Sequence, residues 1–226
     1  MPLDPNSDIE ITAFRWVPPF AQGLVRDLRL RWALEEMGRA YHVRLLDATK
    51  PRPREYFCEQ PWGQVPSYRD DEVQLFESGA ILIHLGMKDD RLLPVDTEGK
   101  MRAIAWVIGT LNSVEPAIFP LTLLDVFNKG EPWAREARPK FMDLLNGRLK
   151  CLSEALGDKE WLEERFTIGD LTLVTALRQL RDTEGLDQFP NLSALVKRGE
   201  ERPAFKRALS DQLAVFREHE PQGEAA

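Results

Sequence analysis

The sequence predicts an α+β protein in two parts: a mixed strand-and-helix domain over residues 1–88 and an all-helical domain over residues 97–226, joined by a linker at 89–96. Three observations carry this. Short alternating segments and helical segments succeed one another up to Met87. The stretch from Lys88 to Asp96 is charged and bears a proline, as connectors do. After it no convincing strand signal appears, and apolar residues recur at helical spacing as far as Arg217.

In the first part, Ile9 to Phe14 alternates as a strand, and Gln22 to Met37 follows as a helix with Gly38 in the stop position. Leu24, Leu28 and Trp32 lie on one flank of that helix, with Leu30, Leu34 and Met37 on the other. A helix apolar on two sides is wedged between layers. Tyr41 to Leu46 reads as a second strand, and Arg54 to Glu59 as a short helix between Pro53 and Pro61. Pro66 to Arg69 and Val73 to Phe76 pair across Asp70-Asp71, and Glu77 to Met87 closes the unit as a helix. The order βαβαββα is that of a thioredoxin-like domain.

In the second part, Thr97 to Asn128 is a long helical pattern, kinked at Pro116 and Pro120 because each ring removes a hydrogen bond. Ala134 to Leu156 is helical. Within Phe166-Thr167-Ile168-Gly169-Asp170-Leu171, Thr167 and Asp170 have capping-box spacing, a folding device. Leu173 to Arg181, Asn191 to Arg198 and Ala204 to Arg217 give three more helices, and the tail from Glu218 frays.

Composition narrows the function classes. A formal net charge of −7 argues against nonspecific binding to nucleic acid or an anionic membrane. Met1 to Asp8 lacks the regions of a leader peptide, and no run approaches the roughly 18 apolar residues of a membrane span. Cys58 and Cys151 make no disulfide framework and stand in no metal-ligand spacing, which suits a reducing compartment. His42, His84 and His219 form no ligand cluster, so no metal is expected. Cys58 reads as a small buried hydrophobe. These features predict a cytoplasmic protein without a membrane or nucleic-acid partner.

The chemistry concentrates in Trp62-Gly63-Gln64-Val65-Pro66-Ser67 and in Glu77-Ser78-Gly79-Ala80-Ile81, one hairpin later. The segment before the proline offers backbone hydrogen bonds. The helix start offers free N–H groups and a favourable dipole to a carboxylate. Glu77 adds a negative charge for an ammonium, and Ser78 a hydroxyl. A ligand with an amino-acid head and an amide backbone fits, and glutathione is one.

This ordered pair, Val-Pro followed by Glu-Ser, closely resembles the glutathione-binding segment of the glutathione transferase family. With the Thr167–Asp170 box and the Pro190-Asn191-Leu192 and Arg202-Pro203-Ala204-Phe205 ending, the resemblance runs from about residue 9 to 217. It implies a homodimer with a ligand site between the two halves of each subunit, and a cis bond before Pro66. It implies that Val65 pairs with the ligand's cysteinyl residue, that Glu77 and Ser78 take the γ-glutamyl head, and that Gln64 adds an amide contact. Lys50, Arg52 and Arg54 are alternatives for the glycine carboxylate.

The chain departs from the family at the thiol. Most transferases place a Tyr, Ser or Cys after the first strand, yet between Thr12 and Thr49 the one hydroxyl or thiol is that of Tyr41, on the second strand. Thiolate stabilisation then falls to helix-start amides and a guanidinium, with Arg15 the first choice and Arg26 the second. Arg26 is odd in a first turn, where its charge opposes the dipole, and a salt bridge with Asp27 or a helical-half carboxylate accounts for it. Phe14, Trp16 and Phe20, with Asn112, Glu115 and Phe119 from the long helix, are expected to line a pocket for a small hydrophobic electrophile or peroxide. The alternative is a non-catalytic binding or regulatory protein of the same architecture. The missing hydroxyl favours it.

Overall fold

The structure, a computed structural model, describes residues 3–221. The chain forms two compact units, one running to Leu92 and taking in the chain from Arg202 onward, the other spanning Leu93–Glu201. The strands are β1 (Glu10–Phe14), β2 (His42–Leu46), β3 (Ser67–Arg69) and β4 (Gln74–Phe76). The helices are α1 (Asp27–Met37), α2 (Ser78–Met87), α3 (Thr97–Gly109), α4 (Glu115–Thr122), α5 (Pro132–Leu156), α6 (Ile168–Leu177), α7 (Pro190–Glu201) and α8 (Pro203–Glu218). The end of the expected fraying tail lies outside the described residues.

The first unit carries a sheet in the order β2-β1-β3-β4. β1 and β2 run parallel, with Glu10 opposite His42 and Phe14 opposite Leu46, while β3 is antiparallel to β1 and β4. Parallel neighbours require a crossover, which α1 supplies. All of α1 except Glu36 is buried, as its two apolar flanks imply, and it packs against β1, α2 and α8. Gly38 ends it at φ 62. The Val65–Pro66 bond is cis.

Two features differ from the sequence reading. α1 starts at Asp27 instead of Gln22, because Pro19–Ala21 form a 3-10 turn and Leu24 N bonds Ala21 O at 3.0 Å, holding the preceding chain in tight turns. Arg26 is therefore the N-cap and not a first-turn residue. The second difference is α8, which the sequence places with the helical half but which docks on α1. Trp32 and Phe205 meet edge to face at 4.9 Å. Arg202 grips Glu36 through two bonds, Arg207 Nε donates to Glu35 at 2.6 Å, and Gln212 Nε2 donates to Asp27 Oδ1 at 2.7 Å. Nothing local in an amphipathic helix says which layer it covers.

In the second unit, Thr97 to Phe127 is one helical run of 31 residues with π turns at Thr110–Val114 and Leu123–Phe127. Pro116 lies just past the first π turn, and Pro120 lies inside α4 between the two, so the irregular turns flank the positions where a proline ring removes a helical hydrogen bond. An 18-residue window of the run reaches mean hydropathy 1.4, with 44% of it buried. Ala103, Val107, Ile118 and Leu121 face inward, and α5 and α6 pack on the run as on a core helix. The expected capping box opens α6: Thr167 N donates to Asp170 Oδ2 at 2.9 Å and Gly169 N to Thr167 Oγ1 at 3.1 Å.

Candidate functional site

Val65 and Pro66 are buried beside β1, just before β3 begins. Val65 packs with Leu46 and Tyr56, and Phe14 and Val25 close over them. Gln60 shapes the approach, its Oε1 accepting from Trp62 N at 2.7 Å and from Gln64 N at 3.3 Å. The Gln64 carbonyl takes the Tyr56 hydroxyl at 2.6 Å. Among the described residues the N–H and C=O of Val65 hydrogen-bond to nothing in the chain, so one residue of backbone stays open for a ligand to pair with. Gln64 is exposed beside it.

Glu77 adopts φ 67, a left-handed conformation that costs a non-glycine residue about 1–2 kcal/mol and that tends to collect at ligand sites. It is exposed, while Ser78 is buried as the first residue of α2. Among the described residues no side chain caps this helix, and its first backbone bond runs from Ile81 N to Glu77 O at 3.0 Å. The amides of Ser78, Gly79 and Ala80 are thus left at a positive helix end. Arg29, buried in α1, donates from Nη1 to Ser78 Oγ at 3.1 Å. A guanidinium cannot accept, so Ser78 accepts from it and keeps its own proton for another partner. Sequence reasoning did not single out Arg29; the available signal was two arginines, Arg29 and Arg31, set between apolar residues of a helix that is apolar on two flanks.

The loop after β1 brings Phe14, Arg15, Trp16 and Phe20 to the same end of the sheet as Leu46, since Arg15 N bonds Leu46 O at 2.9 Å. Phe14 lies under the Arg52 guanidinium at 4.9 Å. Trp16 is half-buried and turns its indole N–H inward, where it meets no acceptor among the described residues, while Phe20 is exposed. Arg15 is exposed and has no ion pair among the described residues. The expected free amides at the start of α1 are in part absent: Leu28 N bonds Val25 O at 3.0 Å and Arg29 N bonds Arg26 O at 3.1 Å, because the turns before α1 continue into it. Asp27 gives its carboxylate to Arg31 Nε, at 2.7 Å, and to Gln212.

Comparison with known proteins decides the family. A model of the glutathione S-transferase N-terminal domain matches residues 21–86, and one of the C-terminal domain matches residues 125–212. The chain is 31% identical over 186 residues to glutathione S-transferase GstA of Escherichia coli O157:H7, covering 78% of this chain and 89% of that protein. The chain belongs to the glutathione S-transferase family. Its fold matches that of a glutathione transferase from Pseudomonas putida with one glutathione disulfide bound per subunit (TM-score 0.78, 21% identity, 92% of this chain and 93% of that one). It also matches one from Burkholderia graminis with two glutathione molecules bound per subunit (TM-score 0.78, 23% identity, 90% and 88%).

Among the basic residues considered for a glycine carboxylate, Arg52 is held on backbone: Nε donates to Gly63 O at 3.0 Å and Nη1 to Lys50 O at 2.9 Å. Lys50 pairs with Asp47 at 3.6 Å, and Arg54 is exposed. In the helical unit, Asn112 and Phe119 are exposed but Glu115 is buried, accepting from Gln179 Nε2 at 3.0 Å. The π turn at Thr110–Val114 breaks the spacing that was to set these three residues on one face. Cys58 is exposed and not a core residue, because in the 3-10 turn Arg54–Cys58 the inward place goes to Tyr56. A cavity of about 440 Å³ between Asp96, Arg102, Lys159 and Glu163 contains none of the expected site residues.

Proposed function

We propose that this transferase binds glutathione along Val65 and at the start of α2, and transfers its sulfur to a small hydrophobic electrophile. The observation that carries the reading is the open backbone of Val65 beside the uncapped α2 terminus. Val65 N–H and C=O pair with the cysteinyl residue, Gln64 adds an amide contact, Glu77 meets the γ-glutamyl ammonium, and the Ser78 hydroxyl with the first amides of α2 meets its carboxylate. Arg29 behind Ser78 adds positive charge to that end. The thiolate attacks the electrophile, the S–C bond forms, and the leaving group departs with the bonding electrons. In the alternative reaction the thiolate attacks a peroxide oxygen, the O–O bond breaks to release an alcohol, and a second glutathione converts the resulting sulfenic acid to glutathione disulfide and water. Arg15 supports the thiolate by charge, and Phe14, Trp16 and Phe20 offer apolar surface to the electrophile. No metal takes part. The protein acts in the cytoplasm as a homodimer, as the family resemblance implies.

A second reading, glutathione binding without turnover, is favoured by a specific observation. The hydroxyls that the fold brings to the Gln64–Ser67 segment, those of Thr12, Tyr56 and Ser67, are all hydrogen-bonded within the chain. Calorimetric titration with glutathione followed by a conjugation assay on a panel of aryl halides and epoxides separates the two. Binding with conjugation supports the first reading, binding alone the second, and the absence of binding contradicts both.

A further inference from the structure

We infer that Tyr56 and Thr12 are positioning residues that fix the Gln64–Ser67 segment from both sides, and so set the backbone edge to which glutathione binds. The inference rests on the proposed glutathione site and goes beyond it to residues that touch no ligand. Tyr56 Oη donates to Gln64 O at 2.6 Å, on the near side of Val65–Pro66. Thr12 Oγ1 stands 2.9 Å from Tyr56 Oη and accepts from Ser67 N at 2.7 Å, on the far side. One tyrosine–threonine pair therefore holds the backbone on both flanks of the two residues that matter.

The direction of these bonds is fixed. A carbonyl only accepts, so Tyr56 gives its single proton to Gln64. Tyr56 must then accept from Thr12, and Thr12, its proton engaged, accepts the Ser67 amide. Ser67 Oγ lies 3.1 Å from Thr12 Oγ1 and 3.4 Å from Glu59 Oε2, and Glu59 pairs with Arg44. All three hydroxyl residues are buried. A chain of oriented hydrogen bonds out of water is stiffer than its separate members. Phenylalanine at position 56 would fill the same space and pack on Leu46 and Val65, so the hydroxyl serves this clamp and not the core.

The test compares wild type with Tyr56→Phe, and with Thr12→Val as a second break in the same chain, using calorimetry with glutathione and amide hydrogen exchange of the unliganded protein. Tyr56→Phe is expected to melt cooperatively, to weaken glutathione about threefold to tenfold, the range one lost hydrogen bond supports, and to speed exchange at Ser67. Thr12→Ser, which keeps the hydroxyl, is expected to retain wild-type affinity. The same factor should appear in a Ser78→Ala background, because the clamp acts on the cysteinyl edge and not on the γ-glutamyl end. Wild-type affinity in folded Tyr56→Phe and Thr12→Val overturns the inference. Should wild type itself fail to bind glutathione, the site reading fails, and the clamp is then judged on exchange alone: an unchanged Ser67 rate in both variants overturns it.

Discussion

Arg29 Nη1 donates to Ser78 Oγ at 3.1 Å, which joins the crossover helix α1 to the first residue of α2. The bond aligns the serine proton away from the guanidinium and places a buried positive charge behind a helix terminus that is itself electropositive. A carboxylate at that terminus meets both.

The first prediction follows from that pair. Ser78→Ala is expected to weaken glutathione by about 1–3 kcal/mol, the cost of a bond to a charged group left unmade. Arg29→Gln should weaken it too, and the double variant should lose less than the sum, with a coupling of about 0.5–2 kcal/mol, since the two act on one carboxylate. Calorimetric double-mutant cycles measure this. Strict additivity would separate Arg29 from the ligand.

The second concerns the thiol. Bound glutathione should titrate below the ordinary thiol value of about 8.5, and Arg15→Ala should raise it by about one unit with little change in stability. Ultraviolet thiolate absorbance against pH reads the shift. An unshifted thiol in wild type would favour the non-catalytic reading.

Gly38 stops α1, the Thr167–Asp170 box opens α6, and Val65-Pro66 and Glu77-Ser78 lie where the hairpin between them requires, because each rests on local backbone chemistry. Long-range partners were not legible. Nothing near Phe205 announces Trp32, and nothing near Gln212 announces Asp27. Proline-rich spacing before Arg26 hid a run of tight turns behind a helical pattern. Tyr56 read as part of a short helix, since the use of its hydroxyl depends on Gln64 and Thr12, which only the fold brings close.

Asp70 gives the third prediction. It sits at the β3–β4 turn and accepts from Tyr68 Oη, His84 Nε2 and Lys88 Nζ, each at 2.9 Å, and from the amides of Glu72 and Val73. Burial opposes its charge, but the bonds from His84 and Lys88 and the two amides prevail and hold its carboxyl far below the usual range. A depressed acid contributes stability that is complete above its unfolded pKa, about 3.9, and is lost as the pH falls below it. Asp70→Asn should cost about 1–3 kcal/mol at neutral pH by urea unfolding, and the gap to wild type should narrow below pH about 4. A gap constant with pH would remove Asp70 as the cause.

Asp170 works in the opposite sense and gives the fourth. Burial pushes its carboxyl up to about 6, against the bonds from Leu162 N, Thr167 N and Thr167 Oγ1. A raised acid favours the folded state most below its unfolded pKa, about 3.9, and that contribution declines as the pH rises to about 6. Relative to Asp170→Asn, wild type should therefore lose stability across that window and stay level above it. Chemical denaturation at a series of pH values checks the slope, and parallel curves would refute it.

The most direct measurement of the central claim is a two-dimensional amide NMR titration of the protein with reduced glutathione. The account predicts saturable shifts centred on Val65, Ser78 and Gly79, with slowed solvent exchange at Val65 as its free N–H gains a partner. Saturation with the shifts centred elsewhere, or no shift at millimolar glutathione, would contradict it.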